Sequence, residues 1–325
     1  VLDSADTYLL AILGAAEAGN VTALAAILGS CQAQDDKDRP AGLGQALSKA
    51  AECGHAKCCG LLLAAGADPC FAGCSGQPTP LMLACRYGHA DAVRLLLEAG
   101  SARSIDSTDH DGLAAVDHAC HAGSAECLGM LLDAGASPSR PHLGPATRGR
   151  TRLMAACASG GSDVLELLWS RGEAEGSLHD VDERGRTALH IAVGEGRVEA
   201  VRWLLAKGAQ VDVRADDGSR ALALAIHGDV PLDVTKALLA AGAAAGGATT
   251  QDGSSILCFA LACFASVDTV RELARYSLSM VELHAAAQEA DLFGRPEIAD
   301  VLKASARYVR RRRLLHWYIA AALDE

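Results

Sequence analysis

A chain of 325 residues with 50% hydrophobic content can build a sizeable core, and its net charge of −11 argues against nucleic acid as the main partner. Aromatics supply only 4%, so alanine and 33 glycines fill the interior, which suits thin helices packed closely together. No run of eighteen apolar residues occurs, so no membrane-spanning helix is expected.

From the N-terminus, Asp6 or Thr7 is placed to cap a helix from Tyr8 to Ala18. Gly19-Asn20 breaks it, and a second helix ends near Gly29-Ser30. Gln32 to Gly44 is polar and holds Pro40, so it reads as a surface connection. LSKAAECGHAKCCGLLLAAGAD repeats the helix–break–helix pattern, followed by a loop, Ala67 to Pro80, with Pro69 and Pro78. Thr79 to Ser101, TPLMLACRYGHADAVRLLLEAGS, gives a clearer copy, and VDHACHAGSAECLGMLLDAGAS a weaker one. The longest insertion, Ser137 to Gly149, holds three prolines and reads as extended and exposed. Thr151 to Gly172, TRLMAACASGGSDVLELLWSRG, restores the pattern before a second insertion, Glu173 to Asp180.

The clearest copy is Asp182 to Val211, DERGRTALHIAVGEGRVEAVRWLLAKGAQV. A Gly185-led turn precedes a short helix that Gly196 breaks. A second helix carries Val198, Val201, Leu204 and Leu205 on one stripe and stops at Lys207-Gly208-Ala209. Ala240 to Thr250 is the softest connection. The last copy, LHAAAQEADLFGRPEIADVLK, follows with no room for a finger between Tyr276 and Val281. Ala306 to Leu323 then reads as one helix, with Leu315, Tyr318, Ile319 and Ala322 on one face and Arg310 and Arg313 on another. Residues 302–325 carry six basic and two acidic groups, a charge of +4 that leaves −15 on the rest.

Taking Leu189 as a marker, its equivalents are Leu13, Leu47, Leu81, Val116, Leu153, Leu222, Leu257 and Leu283. Their successive steps are 34, 34, 35, 37, 36, 33, 35 and 26 residues. The chain here resembles the ankyrin repeat. Thr187-Ala188-Leu189-His190 stands where that family has TPLH, and GRVEAVRWLLAKGA matches its second helix and Gly-Ala stop. The resemblance covers about residues 7–303 and implies an all-α solenoid of about nine helix-turn-helix repeats with short β-turn fingers and a C-terminal capping helix. The expected organisation is a repeat array over 1–303, degenerate at both ends, followed by a basic amphipathic helix over 304–325.

Twelve cysteines raise the question of disulfides or zinc, but their positions answer it. Cys85, Cys120 and Cys157 each fall four residues after their marker, where other repeats place Ala51, Val193 and Leu261. That is a small buried apolar site. Cys58, Cys59 and Cys127 sit in second helices, and the cluster of Cys53, Cys58, Cys59, Cys70 and Cys74 lacks paired CxxC spacing. Free thiols are expected, and with them a cytoplasmic or other reducing compartment. The chain begins at Val1, so a segment removed from the N-terminus stays open.

No nucleophile elbow, kinase set or HExxH stands in the sequence, and Ser159-Gly160-Gly161-Ser162 and Gly242 to Gly247 lack a phosphate-binding framework. His118 and His121 lie one helical turn apart beside Asp117, without a third ligand. No catalytic residue, metal or cofactor is expected. What the resemblance implies instead is a partner-binding concave surface. Its finger tips would be His110, Asp111, Arg148, Arg150, Glu183, Arg184, Arg186, Asp216, Asp217 and Asp252, and its helix ends Arg86, Tyr87, His121, Glu195 and His227. The basic helix adds Arg310, Arg313 and Trp317 as contacts to an acidic partner or anionic surface. The function expected is a non-enzymatic protein-binding scaffold. The alternatives are a fixed subunit of a large assembly and an adaptor that brings partners to an enzyme.

Overall fold

The structure, a computed structural model, describes residues 4–30, 39–73, 76–137, 149–172, 174–227, 230–245, 255–277 and 279–323, with side chains left out at 4–6, 30, 39–41 and 312–323. The chain forms two compact units, Val1–Ser177 and Leu178–Glu325. The described residues of both are built from paired helices and hold no extended strand.

The first unit contains five pairs: α1 (Ser4–Glu17) with α2 (Val21–Ser30), α3 (Arg39–Glu52) with α4 (Ala56–Ala64), α5 (Pro80–Arg86) with α6 (Ala90–Glu98), α7 (Ala115–Ala122) with α8 (Ala125–Asp133), and α9 (Arg152–Ser159) with α10 (Ser162–Ser170). The second unit contains four: α11 (Ala188–Gly194) with α12 (Val198–Ala206), α13 (Ala221–His227) with α14 (Leu232–Ala240), α15 (Ile256–Ala262) with α16 (Val267–Tyr276), and α17 (Met280–Leu292) with α18 (Pro296–Leu323). Within each unit, first helices pack on the neighbouring first helices and second helices on second helices. This is the nearest-neighbour logic of a helical repeat.

The first helices α5, α7, α9, α11 and α15 span only 7 or 8 residues because both of their ends are fixed by the sequence. Thr79, Thr151 and Ser255 accept the N–H of the residue three positions on, closing the first turn of α5, α9 and α15. At the other end the chain reverses through a left-handed residue, and at Gly19 and Gly54 a second constraint applies. A Cβ on Gly19 would stand 2.7 Å from the His55 ring, and one on Gly54 would stand 2.6 Å from the His89 ring. Those histidines need the space, because His55 Nε2 donates to the Glu17 carbonyl and His89 Nε2 to the Glu52 carbonyl, each at 3.0 Å. The turn of one pair is thereby tied to the next. In the second unit Phe264 occupies the equivalent left-handed position, with φ of 55°.

The buried register confirms the repeat and corrects its start. Eight markers, Leu47 through Leu283, are 0–2% exposed, and the residues three and four positions on are buried with them. In α1 the trio is Ile12, Ala15 and Ala16, while Leu13 is half-buried, so the first step is 35 residues instead of 34. Two neighbouring isoleucine and leucine residues offer the same hydrophobicity, and only the +3/+4 alanines separate them. In α12 the buried set is Ala200, Val201, Trp203 and Leu204, so the stripe is rotated toward Trp203 from the expected Val198 and Leu205. Lys207 lies over that indole, 5.4 Å from its centre.

Other boundaries differ as well. Helix α1 begins at Ser4, four residues before Tyr8, and α3 begins at Arg39, inside the expected polar connection. Pro40 is tolerated there because the first helical turn makes no use of its missing N–H. The helix expected from Ala306 begins at Pro296 and continues unbroken to Leu323. The absent finger holds: α16 ends at Tyr276 and α17 starts at Met280. Most of the insertion from Ser137 to Gly149, and residues 246–254, lie outside the described residues.

Candidate functional site

Three fingers precede first helices and share one plan. In the first unit the N–H of Asp109 bonds the Leu113 carbonyl at 3.0 Å, and Gly112 turns back to the Asp109 carbonyl. In the second unit Asp182 pairs with Arg186 and Ala215 with Ser219 in the same way, with Gly185 and Gly218 at the turns. Positive φ at all three glycines, 78°, 68° and 77°, explains why each finger needs that residue. Fingers also stack. His110 N–H donates to the Gly76 carbonyl at 2.7 Å, and Asp216 N–H donates to the Arg184 carbonyl at 3.0 Å.

Two of these three finger bases are held by buried charge. Asp109 accepts the N–H groups of Asp111 and Leu113, and its second oxygen lies 2.8 Å from His118 Nε2. Asp182 accepts the N–H groups of Arg184 and Arg186 and receives Arg186 Nε and Nη2 at 3.0 and 2.7 Å. Burial by itself would raise the Asp182 carboxyl, but the Arg186 and backbone hydrogen bonds outweigh it and hold the group below its ordinary value. Neither aspartate is among the residues the resemblance implies, although Asp-x-x-Gly recurs at 109–112 and 182–185.

Arg186 is therefore not the free finger-tip cation the resemblance implied. Its side chain is 24% exposed and belongs to the base of its own finger. Glu183, Arg184, Asp216 and Asp217 are exposed on the two stacked fingers of the second unit, and Glu195 and His227 are exposed at the ends of α11 and α13. Hydrogen bonds from Ser219 hold the Asp217 carboxyl low. In the first unit Arg86, Tyr87, His110 and His121 are exposed, while Asp111 and Arg150 are half-buried. Tyr87 is 51% exposed and stacks on His89 at 6.2 Å. Arg310 is exposed on α18. Arg148, Asp252 and the side chains of Arg313 and Trp317 lie outside the described residues.

His190 is buried, and Thr187 N–H donates to its Nδ1 at 3.2 Å, which leaves the proton on Nε2. Burial pushes its pKa down, against the pull of the Ser219 and Val213 backbone on the next finger. Of the histidines weighed for metal, His118 is engaged by Asp109, while Asp117 accepts Arg152 Nε and the Ala114 N–H, each at 2.8 Å. Asp109, His110 and Asp111 do place three ligand atoms within 4.8 Å of one another. Both Asp109 oxygens are already engaged, so this set is better suited to shaping its finger than to holding an ion.

All ten described cysteines are free thiols, and six of them are buried. Burial pushes Cys59 up to about 12 and raises Cys85 and Cys157 as well, so none of these is poised as a thiolate nucleophile. No described helix is long and apolar enough to cross a membrane.

Paired helices, left-handed turns and stacked fingers define a helical-repeat interaction protein. A family model described as ankyrin repeats in three copies matches residues 47–142 and again 139–215, more than half the chain. The chain belongs to the ankyrin-repeat family, whose repeats are protein–protein interaction domains. Among its relatives, tyrosine-protein kinase HTK16 of Hydra vulgaris is 31% identical over 160 residues, which are 49% of this chain and 20% of that protein. B-cell lymphoma 3 protein homolog of Mus musculus is 34% identical over 178 residues, 54% of this chain and 36% of that one. The chain thus spans about a third or less of these relatives' lengths. The crystal structure of the human ASB11 ankyrin repeat domain shares the fold with a TM-score of 0.54 at 23% identity, covering 71% of this chain and 97% of that domain.

Proposed function

We propose that the chain is a non-enzymatic protein-binding scaffold that works by rigid presentation. One observation carries this reading: the two stacked fingers of the second unit are locked by the Asp216–Arg184 backbone bond and expose Glu183, Arg184, Asp216 and Asp217 above a buried base. A mixed-charge row fixed before a partner arrives loses little entropy on binding. In the first unit Tyr87 and Arg86 supply the residue types that act as binding anchors. The free thiols support a reducing compartment.

A second reading, a fixed subunit of a larger assembly, is favoured by one feature. Among the described residues nine large hydrophobic side chains are exposed, and six of them (Phe264, Tyr276, Val281, Leu292, Phe293 and Tyr308) lie in the last two helix pairs. That concentration suits a surface covered by another chain. An adaptor role has no comparable feature.

A photo-crosslinking residue placed in turn at Arg184, Asp217, Phe264 and Phe293 separates these readings, with exposed Arg202 on α12 as the control. Crosslinks from the fingers but not from Arg202 support the scaffold. Crosslinks confined to position 264 or 293 favour the assembly subunit and reject the finger surface.

A further inference from the structure

Helix α18 has two distinct faces. Ile298, Ala299, Leu302, Ala306 and Val309 are buried and form the stripe that packs on α16 and α17. At about 100° per residue, Glu297, Asp300, Ala304, Arg307, Tyr308 and Arg311 centre on the opposite side. All six are exposed, Tyr308 by 66%.

The charges on that outer face are segregated by sign. On other second helices the acidic and basic groups pair three residues apart, as in Asp91–Arg94, Glu199–Arg202, Asp233–Lys236, Asp268–Arg271 and Glu272–Arg275. On the outer face of α18 the near neighbours are alike, Glu297 and Asp300 at one end and Arg307 and Arg311 at the other, while Lys303 on the flank turns to Asp291. Among the described residues none of these four makes an ion pair. Glu297 and Asp300 sit near the helix N-terminus, where acids are favoured, but Arg307 and Arg311 repel each other at four residues apart and gain nothing from the helix itself.

We propose that the outer face of α18 pairs antiparallel with the same face of a second copy of this chain. The occupant follows from charge complementarity. With the two helices crossing at Ala304, Glu297 of one copy lies level with Arg311 of the other, and Asp300 lies beside Arg307 and Tyr308. The two-fold axis repeats each contact in reverse. Positions 297, 304 and 311 are one heptad apart, the spacing that keeps a stripe facing its partner along a helix pair. Ala304 at the crossing point lets the two backbones approach closely. The charges also select direction and register. A parallel pair sets Glu297 against Glu297, and a crossing one heptad further on sets Arg311 against Arg311. Exposed Leu292 and Phe293 stand just before α18 and extend the acidic end of this face.

Sedimentation equilibrium of the full chain tests this with two charge-reversed variants, E297R/D300R and R307E/R311E. The wild-type chain is expected as a dimer that dissociates at high salt. Each variant alone presents a face of a single sign and is expected as a monomer with unchanged helix content by circular dichroism. Mixed in equal amounts, the two variants should recover the dimer mass. A wild-type chain that stays monomeric overturns the proposal, as do variants that remain dimeric or a mixture that fails to associate. A monomeric chain that co-sediments with phosphatidylserine vesicles assigns the basic end to lipid and equally rejects the second copy.

Discussion

Arg152 Nε lies 2.8 Å from the Asp117 carboxylate, joining α9 to α7 through an ion pair in which neither side chain is more than 8% exposed. Arg152 also donates to the Ser137 carbonyl at 2.8 Å, and Asp117 closes the first turn of its helix through the Ala114 N–H. The pair is fully engaged, so removing one member strands the other. Arg152→Ala should cost roughly 3–5 kcal/mol in urea denaturation, whereas Arg152→Met with Asp117→Asn should cost much less. Equal losses in the single and double variants would show that stranding Asp117 adds no cost beyond loss of the pair.

The buried titratable groups predict two steps of acid destabilisation. His190 is depressed below its ordinary 6.5, so the unfolded chain takes up its proton first. Its contribution is full above pH 6.5 and is lost as pH falls from there through the lower folded value. Asp182 is depressed below 3.8, so its contribution persists above that pH and is lost only as pH falls further. Thermal melts from pH 8 to about pH 3 should therefore decline in two stages. His190→Asn should flatten the upper stage and Asp182→Asn the lower. A His190→Asn curve parallel to wild type would exclude the histidine as the upper group.

Arg184 and Arg186 stand two residues apart and should behave oppositely. Arg184 is exposed, and reversing it to Glu should weaken partner capture while changing stability by less than about 1 kcal/mol. Arg186 is bonded to Asp182, so Arg186→Glu should lower the melting temperature and disturb binding only through the finger. Differential scanning calorimetry beside a binding titration separates the two effects. Equal shifts in melting temperature would contradict this division.

Phe264 is 74% exposed in a left-handed conformation that costs a non-glycine residue roughly 1–2 kcal/mol. Phe264→Gly should therefore raise stability by up to about 1 kcal/mol, because little buried area is lost with the ring. The reverse change, Gly196→Phe, should destabilise, since even a Cβ there meets Pro231 at 3.1 Å. Chemical denaturation of both variants checks the pair. A destabilised Phe264→Gly would mean the ring is packed in solution.

The helix pairs were legible because each repeat spends its small and apolar residues in one spacing, and Leu189, Ala192 and Val193 are buried as that spacing requires. The Ile12–Leu13 ambiguity was not resolvable from hydrophobicity, since the two side chains are nearly equivalent. Arg186 was misplaced for a different reason. A finger-tip arginine and a finger-base arginine look identical until the carboxylate four residues back, Asp182, is recognised as its partner. Gln32 to Gly44 reads as a surface connection because it is polar and holds Pro40, yet a proline in the first turn is compatible with the start of α3 at Arg39. Phe264 left no composition signal, and only alignment with Gly196 and Gly294 exposes it.

Cys85, Cys120 and Cys157 occupy one structural position in three consecutive helix pairs, and each is fully buried. They amount to a built-in set of reporters. A maleimide can reach each thiol only when its own pair opens, so timed labelling read by mass spectrometry would map the order in which the first unit comes apart. No substitution is needed, and the unfolding route of the native chain can be followed one pair at a time.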